Sequence, residues 1–120
     1  MGRDVIAVTA SVRDGVLLTE DVPSAANNAE FANSAGRTLL IYVNGIGAVS
    51  AQATDITIQQ VADPYGRIQN AAAFTVPVNR VATLGPFPPL LYNQSDDTVQ
   101  VDYDAVDAGA SQYALQITSV

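Results

Sequence analysis

The sequence predicts an all-β fold, either a single-domain antiparallel β-sandwich or a jelly-roll-like barrel of about eight short strands. Apolar and polar residues alternate with a period of two wherever a pattern is visible, as they do in strands with one buried face. Turn residues recur at intervals typical of short strands. No segment sustains the apolar spacing of a buried helix face. The 120 residues suffice for one domain, which we expect to span residues 1–120.

The best-defined strand should lie in the centre of a sheet. Residues 38–44 are apolar on both faces, which favours a strand with neighbours on each side. Cleaner alternation elsewhere predicts strands with one face in solvent, the last of which runs to the C-terminal residue. These further strands cover residues 55–60, 74–79, 98–104 and 112–120.

The N-terminal part of the chain predicts a β-hairpin followed by a long connection. Residues 5–12 and 16–19 have strand character and flank the turn formed by residues 13–15, where Asp-Gly supplies the positive φ of a hairpin turn. Residues 23–35 are rich in Ala and Asn, and we expect a loop with at most one helical turn there. A second irregular stretch is expected at residues 62–73.

Composition removes several classes of function. There is no Cys or His, which excludes thiolate metal sites, a Cys nucleophile and a Ser-His-Asp triad. Five Arg, no Lys and twelve carboxylates give a net charge of −7, which argues against binding to nucleic acid or to an anionic membrane. The N-terminus has the pattern of a strand rather than of a signal peptide, so we expect a soluble, unexported protein.

Residues 85–93, Gly-Pro-Phe-Pro-Pro-Leu-Leu-Tyr-Asn, predict a stiff corner outside the sheets. The prolines lock φ and cannot donate to a strand ladder, so the segment should form an extended arm or corner that aims Phe87 in one direction. Phe87 then either closes the end of the sandwich, which is the commoner role of a large aromatic near a turn, or meets a neighbouring subunit.

Residues 33–38, Asn-Ser-Ala-Gly-Arg-Thr, predict a tight turn that leads into the central strand. Gly36 permits a left-handed backbone there. Arg37, at the mouth of the strand, could serve only the turn, or it could pair with a carboxylate of this chain or of a partner protein.

One cluster of carboxylates resembles a metal site. Its oxygen ligands would suit Ca²⁺, but the residues do not follow the EF-hand pattern, and two of them alternate along the solvent face of a predicted strand. We interpret the cluster as solubilising charge, with Ca²⁺ binding as the alternative. Its members are Asp96, Asp97, Asp102, Asp104 and Asp107.

From Asn33 to about Tyr103 the chain carries a succession of short motifs. They are Asn-x-x-Gly-Arg-Thr, an alternating strand that ends in Asn, a Thr-rich strand, Gly-Pro-Phe-Pro-Pro, Tyr-Asn and Val-x-Val-x-Tyr. This order resembles the small all-β structural proteins of tailed bacteriophages, in particular the decoration or cement proteins of the head.

The resemblance implies a protein of the virion, made in the host cytoplasm and bound to the outside of the expanded capsid. Its partners would be the major capsid protein and further copies of itself, as a homotrimer or another homo-oligomer, with no cofactor, nucleic acid or membrane. Residues 1–32 and the Phe87 segment would contact the shell. The candidate contact residues are Arg3, Arg37, Pro86, Phe87, Pro88 and Tyr92.

Two other functions stay open. The protein could belong to the head-tail connector or the tail, where small β-sandwiches also occur. It could instead be a carbohydrate- or Ca²⁺-binding module that uses Tyr42, Tyr65, Tyr92 and the acidic cluster. We do not expect an enzyme, because no nucleophile and base are paired in the sequence.

Overall fold

Nine strands and one short helix make up the part of the chain that the computed structural model describes, residues 3–45, 52–61, 73–106 and 109–118. Most of the irregular stretch expected at residues 62–73 lies outside these ranges, as do Tyr65 and Asp107. In chain order the elements are β1 (Asp4–Val5), β2 (Val8–Ala10), β3 (Ala29–Ala32), β4 (Thr38–Asn44), β5 (Thr54–Ile58), β6 (Phe74–Val76), β7 (Arg80–Leu84), α1 (Pro89–Tyr92), β8 (Thr98–Tyr103) and β9 (Ser111–Gln116).

The strands form two sheets that pack as a β-sandwich, which confirms the predicted fold class. One sheet has the order β1-β3-β8-β5-β6 and the other the order β2-β9-β4-β7. The inner strands pair antiparallel, as expected. The prediction of purely antiparallel sheets is wrong at the N-terminus, because β1 pairs parallel with β3 and β2 parallel with β9.

The predicted N-terminal hairpin is also wrong. The chain leaves the first sheet after β1 and enters the second as β2, and Ile6 is buried between the two strands. The Ile6 amide donates to the Glu30 carbonyl at 2.9 Å, so the crossing itself is hydrogen-bonded. The turn at residues 13–14 does form, with the Gly15 amide donating to the Val12 carbonyl, but residues 16–19 form no strand. Burial of Ile6 therefore outweighs the local preference for a hairpin.

β4 is the central strand that the sequence predicts. It lies between β9 and β7, and its buried residues alternate with half-buried ones along its whole length. The buried apolar residues of both sheets form a single cluster between them, to which β4 contributes Leu40 and Tyr42. The other members are Ile6, Ala29, Phe31, Ile56, Ile58, Val76, Phe87, Val99, Val101, Tyr103, Ala110 and Ala114.

Several strand boundaries differ from the prediction for local reasons. β3 lies within the stretch expected to be a loop, and its buried residues Ala29 and Phe31 alternate with polar or small neighbours. β6 ends at Val76 because Pro77 follows it and Asn79 has a φ of 60°, which makes a turn into the unpredicted strand β7. β9 ends at Gln116 instead of running to the last residue.

Candidate functional site

The two segments singled out in the sequence, residues 33–38 and 85–93, lie against each other at one end of the sandwich. The buried side chain of Asn33 joins them: its Nδ2 donates to the Phe87 carbonyl at 2.9 Å and to Asn93 Oδ1 at 2.8 Å. Its Oδ1 accepts from the Thr38 amide at 3.2 Å. The Asn93 side chain returns a hydrogen bond to the Asn33 carbonyl at 2.8 Å. The amide of one side chain therefore fixes the turn, β4 and the corner relative to one another.

Gly36 makes this close approach possible. Its φ is +72°, the left-handed region that the sequence predicted for this turn. A Cβ atom at this position would lie 2.8 Å from Cδ of Pro89, so the turn has room only for glycine where it meets the corner. Arg37 follows directly, and its exposed side chain has no hydrogen-bond or ion-pair partner in the described part of the chain.

Phe87 occupies the core, the first of the two roles considered for it. Its side chain is only 6% exposed. The ring centroid lies 5.9 Å from that of Phe31 and 5.3 Å from that of Tyr92, the latter in an edge-to-face arrangement. The ring is therefore enclosed by this chain and is not presented to a partner.

The corner is not an extended arm throughout. Residues from Pro89 onwards turn into the four-residue helix α1, which begins with a proline as helices often do. The prolines at 86 and 88 are exposed, as are Leu90 and Leu91. We call the exposed residues of this end, Arg37, Pro86, Pro88, Leu90 and Leu91, the proline corner. Tyr92 is half-buried beside it, and its hydroxyl accepts from Gln60 Nε2 at 3.3 Å.

Arg3, the remaining contact candidate, is engaged within the chain. Its Nη1 donates to Asp102 Oδ1 at 2.6 Å and to the Val101 carbonyl at 3.0 Å. Gln59 Nε2 donates to the other oxygen of Asp102. Arg3 thus ties the start of the described chain to β8.

The acidic residues take separate structural roles. Asp96 accepts from the Thr98 hydroxyl at 2.6 Å, and this hydrogen bond lowers the pKa of Asp96. Asp97 occupies a turn with φ of 63°, and Asp104 Oδ1 accepts from the Asp55 amide at 2.9 Å. Asp102 is paired with Arg3, as described above. Within the described residues no three His, Cys, Asp or Glu side chains are grouped so that they could hold a metal ion.

The structure gives little support to sugar binding by the tyrosines. Tyr42 is fully buried, so it has no free face on which a sugar could stack. A cleft of about 180 Å³ is lined by residues that include Val8, Ala32 and Thr38, and neither Tyr42 nor Tyr92 lines it. Small-molecule pockets usually enclose about 300–1,000 Å³, so this cleft is small for such a ligand.

A buried polar chain between the sheets was not predicted. The Tyr103 hydroxyl of one sheet donates to Gln112 Oε1 of the other, and Gln112 Nε2 donates to Asp21 Oδ2 at 2.6 Å. The apolar alternation in β9 predicts that Tyr113 and Leu115 face inward, but Ser111, Gln112 and Ala114 are the buried residues. No sequence signal shows which face of β9 is buried, because burial of Gln112 depends on Tyr103 of the other sheet as its partner.

Burial of Tyr103 predicts an alkaline limit to stability. Burial is the largest cause that raises the pKa of the Tyr103 phenol from its ordinary value of 10.0, followed by the charges of neighbouring groups. Because the pKa is higher in the folded state than in the unfolded state, the neutral Tyr103 phenol contributes its full stability to the fold below pH 10.0. That contribution is lost as the pH rises above this value and the unfolded chain ionises first. We expect Tyr103→Phe to reduce the loss of stability between neutral and strongly alkaline pH. Urea unfolding of the wild type and of Tyr103→Phe across this pH range measures the difference, and identical pH profiles would contradict the prediction.

No family model, curated protein or solved structure matches this chain.

Proposed function

We propose that this protein is a structural component of a tailed-phage particle, a decoration or cement protein that binds the major capsid protein on the outside of the expanded head. It would bridge neighbouring capsid subunits and stabilise the shell by mass action and avidity. The function requires no catalysis and no cofactor. The observation that carries the proposal is the proline corner, a rigid apolar surface at one end of an acidic sandwich.

The proline corner suits contact with another protein. Leu90 is 65% exposed and Leu91 40% exposed, beside the exposed rings of Pro86 and Pro88. Exposed apolar groups that adjoin one another favour association with a second protein surface. Arg37 supplies a cation that has no partner within the described part of this chain and can pair with a carboxylate of the capsid.

The anchoring of the proline corner supports the same function. Asn33 holds the backbone of Phe87, and the Phe87 ring is fixed in the core. A surface that is already ordered loses little conformational entropy on binding, so more of the contact energy appears as affinity. The net charge of −7 is compatible with a protein that lies outside the shell and avoids the packaged DNA. No helix in the described residues has the length and apolar character needed to cross a bilayer.

Addition of the purified protein to heads that lack it tests this proposal. We expect saturable binding and a higher temperature of DNA release from the heads. Leu90→Asp should weaken the binding roughly tenfold or more, since it puts a charge into the apolar contact. The matched control is Val22→Asp, because Val22 is 66% exposed and lies outside the proline corner. Failure of the wild-type protein to bind, or equal losses in the two variants, would overturn the proposal.

A further inference from the structure

Residues 16–20, Val-Leu-Leu-Thr-Glu, form a largely exposed segment outside the strands. The segment lies in a loop held at both ends: the Ser11 amide donates to the Gln116 carbonyl at 2.8 Å, and Asp21 forms a two-bond bridge with Gln112. Between these points, residues 16–20 make no hydrogen bond within the described part of the chain. Leu17 is 93% exposed. The composition favours a strand, yet no strand among the described residues pairs with it.

The edge strand β7 lacks a neighbouring strand on one side within the described residues. Within the described residues it pairs only with β4, so one row of its backbone groups has no neighbouring strand. Ala82 and Leu84 point towards the core, while Val81 on the other face is 56% exposed. Such an unpaired edge is a template for a strand from another chain.

We propose that residues 16–20 of one molecule pair antiparallel with β7 of a second copy and add a fifth strand to its four-stranded sheet. One register brings three matched pairs together. It puts apolar residues opposite apolar ones on the core-facing side and unlike charges opposite each other at the end of the strand. Val16 then lies opposite Leu84, Leu17 opposite Thr83, Leu18 opposite Ala82, Thr19 opposite Val81, and Glu20 opposite Arg80.

The charge match is specific to this register and direction. Glu20 and Arg80 are both exposed, and neither side chain has a hydrogen-bond or ion-pair partner in the described part of the chain. A parallel arrangement would put Glu20 beside Leu84 and leave Arg80 beside Val16. The antiparallel pairing gives each charge an opposite charge directly across the new ladder.

The position of the segment sets the kind of assembly. Residues 16–20 lie between β2 and the Asp21–Gln112 bridge, on the β2 side of the four-stranded sheet, whereas β7 forms the opposite edge. The contact is therefore head to tail, and repeated copies give a closed ring or an open chain. This contact between copies does not depend on the protein being part of a capsid.

Charge reversal tests the proposed pairing. The oligomeric state of the full chain is measured by light scattering over a range of protein concentrations. We expect concentration-dependent oligomers, weakened roughly twofold to fivefold by Glu20→Arg or Arg80→Glu alone and restored when both changes are combined. Val16→Asp, which puts a charge opposite Leu84 on the core-facing side of the added strand, should weaken assembly roughly tenfold or more, and Leu90→Asp should leave it unchanged. A wild-type monomer at all concentrations would overturn the proposal, as would a double variant that stays weakened.

Cysteine cross-linking tests the register without altering charge. The chain contains no Cys, so introduced thiols are unique. A Thr19→Cys chain mixed with a Val81→Cys chain should form mixed disulfide dimers under mild oxidation, because these positions face each other across the proposed ladder. A Thr19→Cys chain mixed with a Val5→Cys chain is the control, since Val5 is exposed on β1 of the other sheet. Equal cross-linking in the two mixtures, or none in the first, would contradict the register.

Discussion

Replacing Phe87 by Ala should lower the free energy of unfolding by about 3–5 kcal/mol, the usual range for removing a buried phenylalanine ring. The ring contacts Phe31 and Tyr92 and lies in the core between the sheets. Its loss leaves a cavity at the end of the sandwich. The proline corner limits how far the backbone can collapse to fill that cavity, because its prolines fix φ. The midpoint of urea unfolding measures the effect.

Leu90→Ala is the control for Phe87→Ala. Leu90 belongs to the same segment but is 65% exposed, so its truncation removes little buried area. We expect its midpoint to stay close to that of the wild type. If Phe87→Ala left the midpoint unchanged and Leu90→Ala lowered it, the assignment of Phe87 to the core would be wrong.

Asn33→Ala should cost about 2–4 kcal/mol of unfolding free energy, because it leaves several buried polar groups without partners. The Phe87 carbonyl, the Thr38 amide and the Asn93 side chain would each lose a hydrogen bond to Asn33. Thermal unfolding followed by circular dichroism measures the loss.

Two further substitutions distinguish the loss of the Asn33 contacts from the general cost of removing a side-chain amide. Asn27→Ala removes a half-buried asparagine whose side chain donates one hydrogen bond to Asp4, and it should cost much less. Asn33→Asp keeps the acceptor for the Thr38 amide but loses the donor to the Phe87 carbonyl, and it should be destabilising like Asn33→Ala. Equal stability of Asn33→Ala and the wild type would show that Asn33 does not hold the proline corner.

The inner strands could be predicted from the sequence because their alternation coincides with burial. Val99, Val101 and Tyr103 of β8 are all buried on the face that the pattern indicates. The expected face is wrong at β9, where Gln112 is buried against Tyr103 of the other sheet and the half-buried Leu115 lies on the other face. It also missed β7, whose exposed and half-buried residues carry no strong pattern. A period of two identifies a strand, but partners from other elements decide which face is buried.

The candidate site was predicted in pieces. The turn at Gly36 and the stiff corner around Phe87 were both recognisable from residue types with restricted backbones. Their contact was not, because the Asn33 amide and the Phe87 carbonyl are 54 positions apart in the chain. The ion pair between Arg3 and Asp102, 99 positions apart, was not predicted either. Long-range pairs of this kind leave no periodic signal in a sequence.

The number of copies of this protein in purified particles tests the proposed function most directly. Quantitative mass spectrometry, with the major capsid protein as the internal reference, gives that ratio. The proposal predicts a copy number comparable to that of the capsid protein, as expected for a protein that covers the shell. A ratio many times smaller would place the protein in the connector or the tail instead. Absence from the particles would contradict the assignment to a virion.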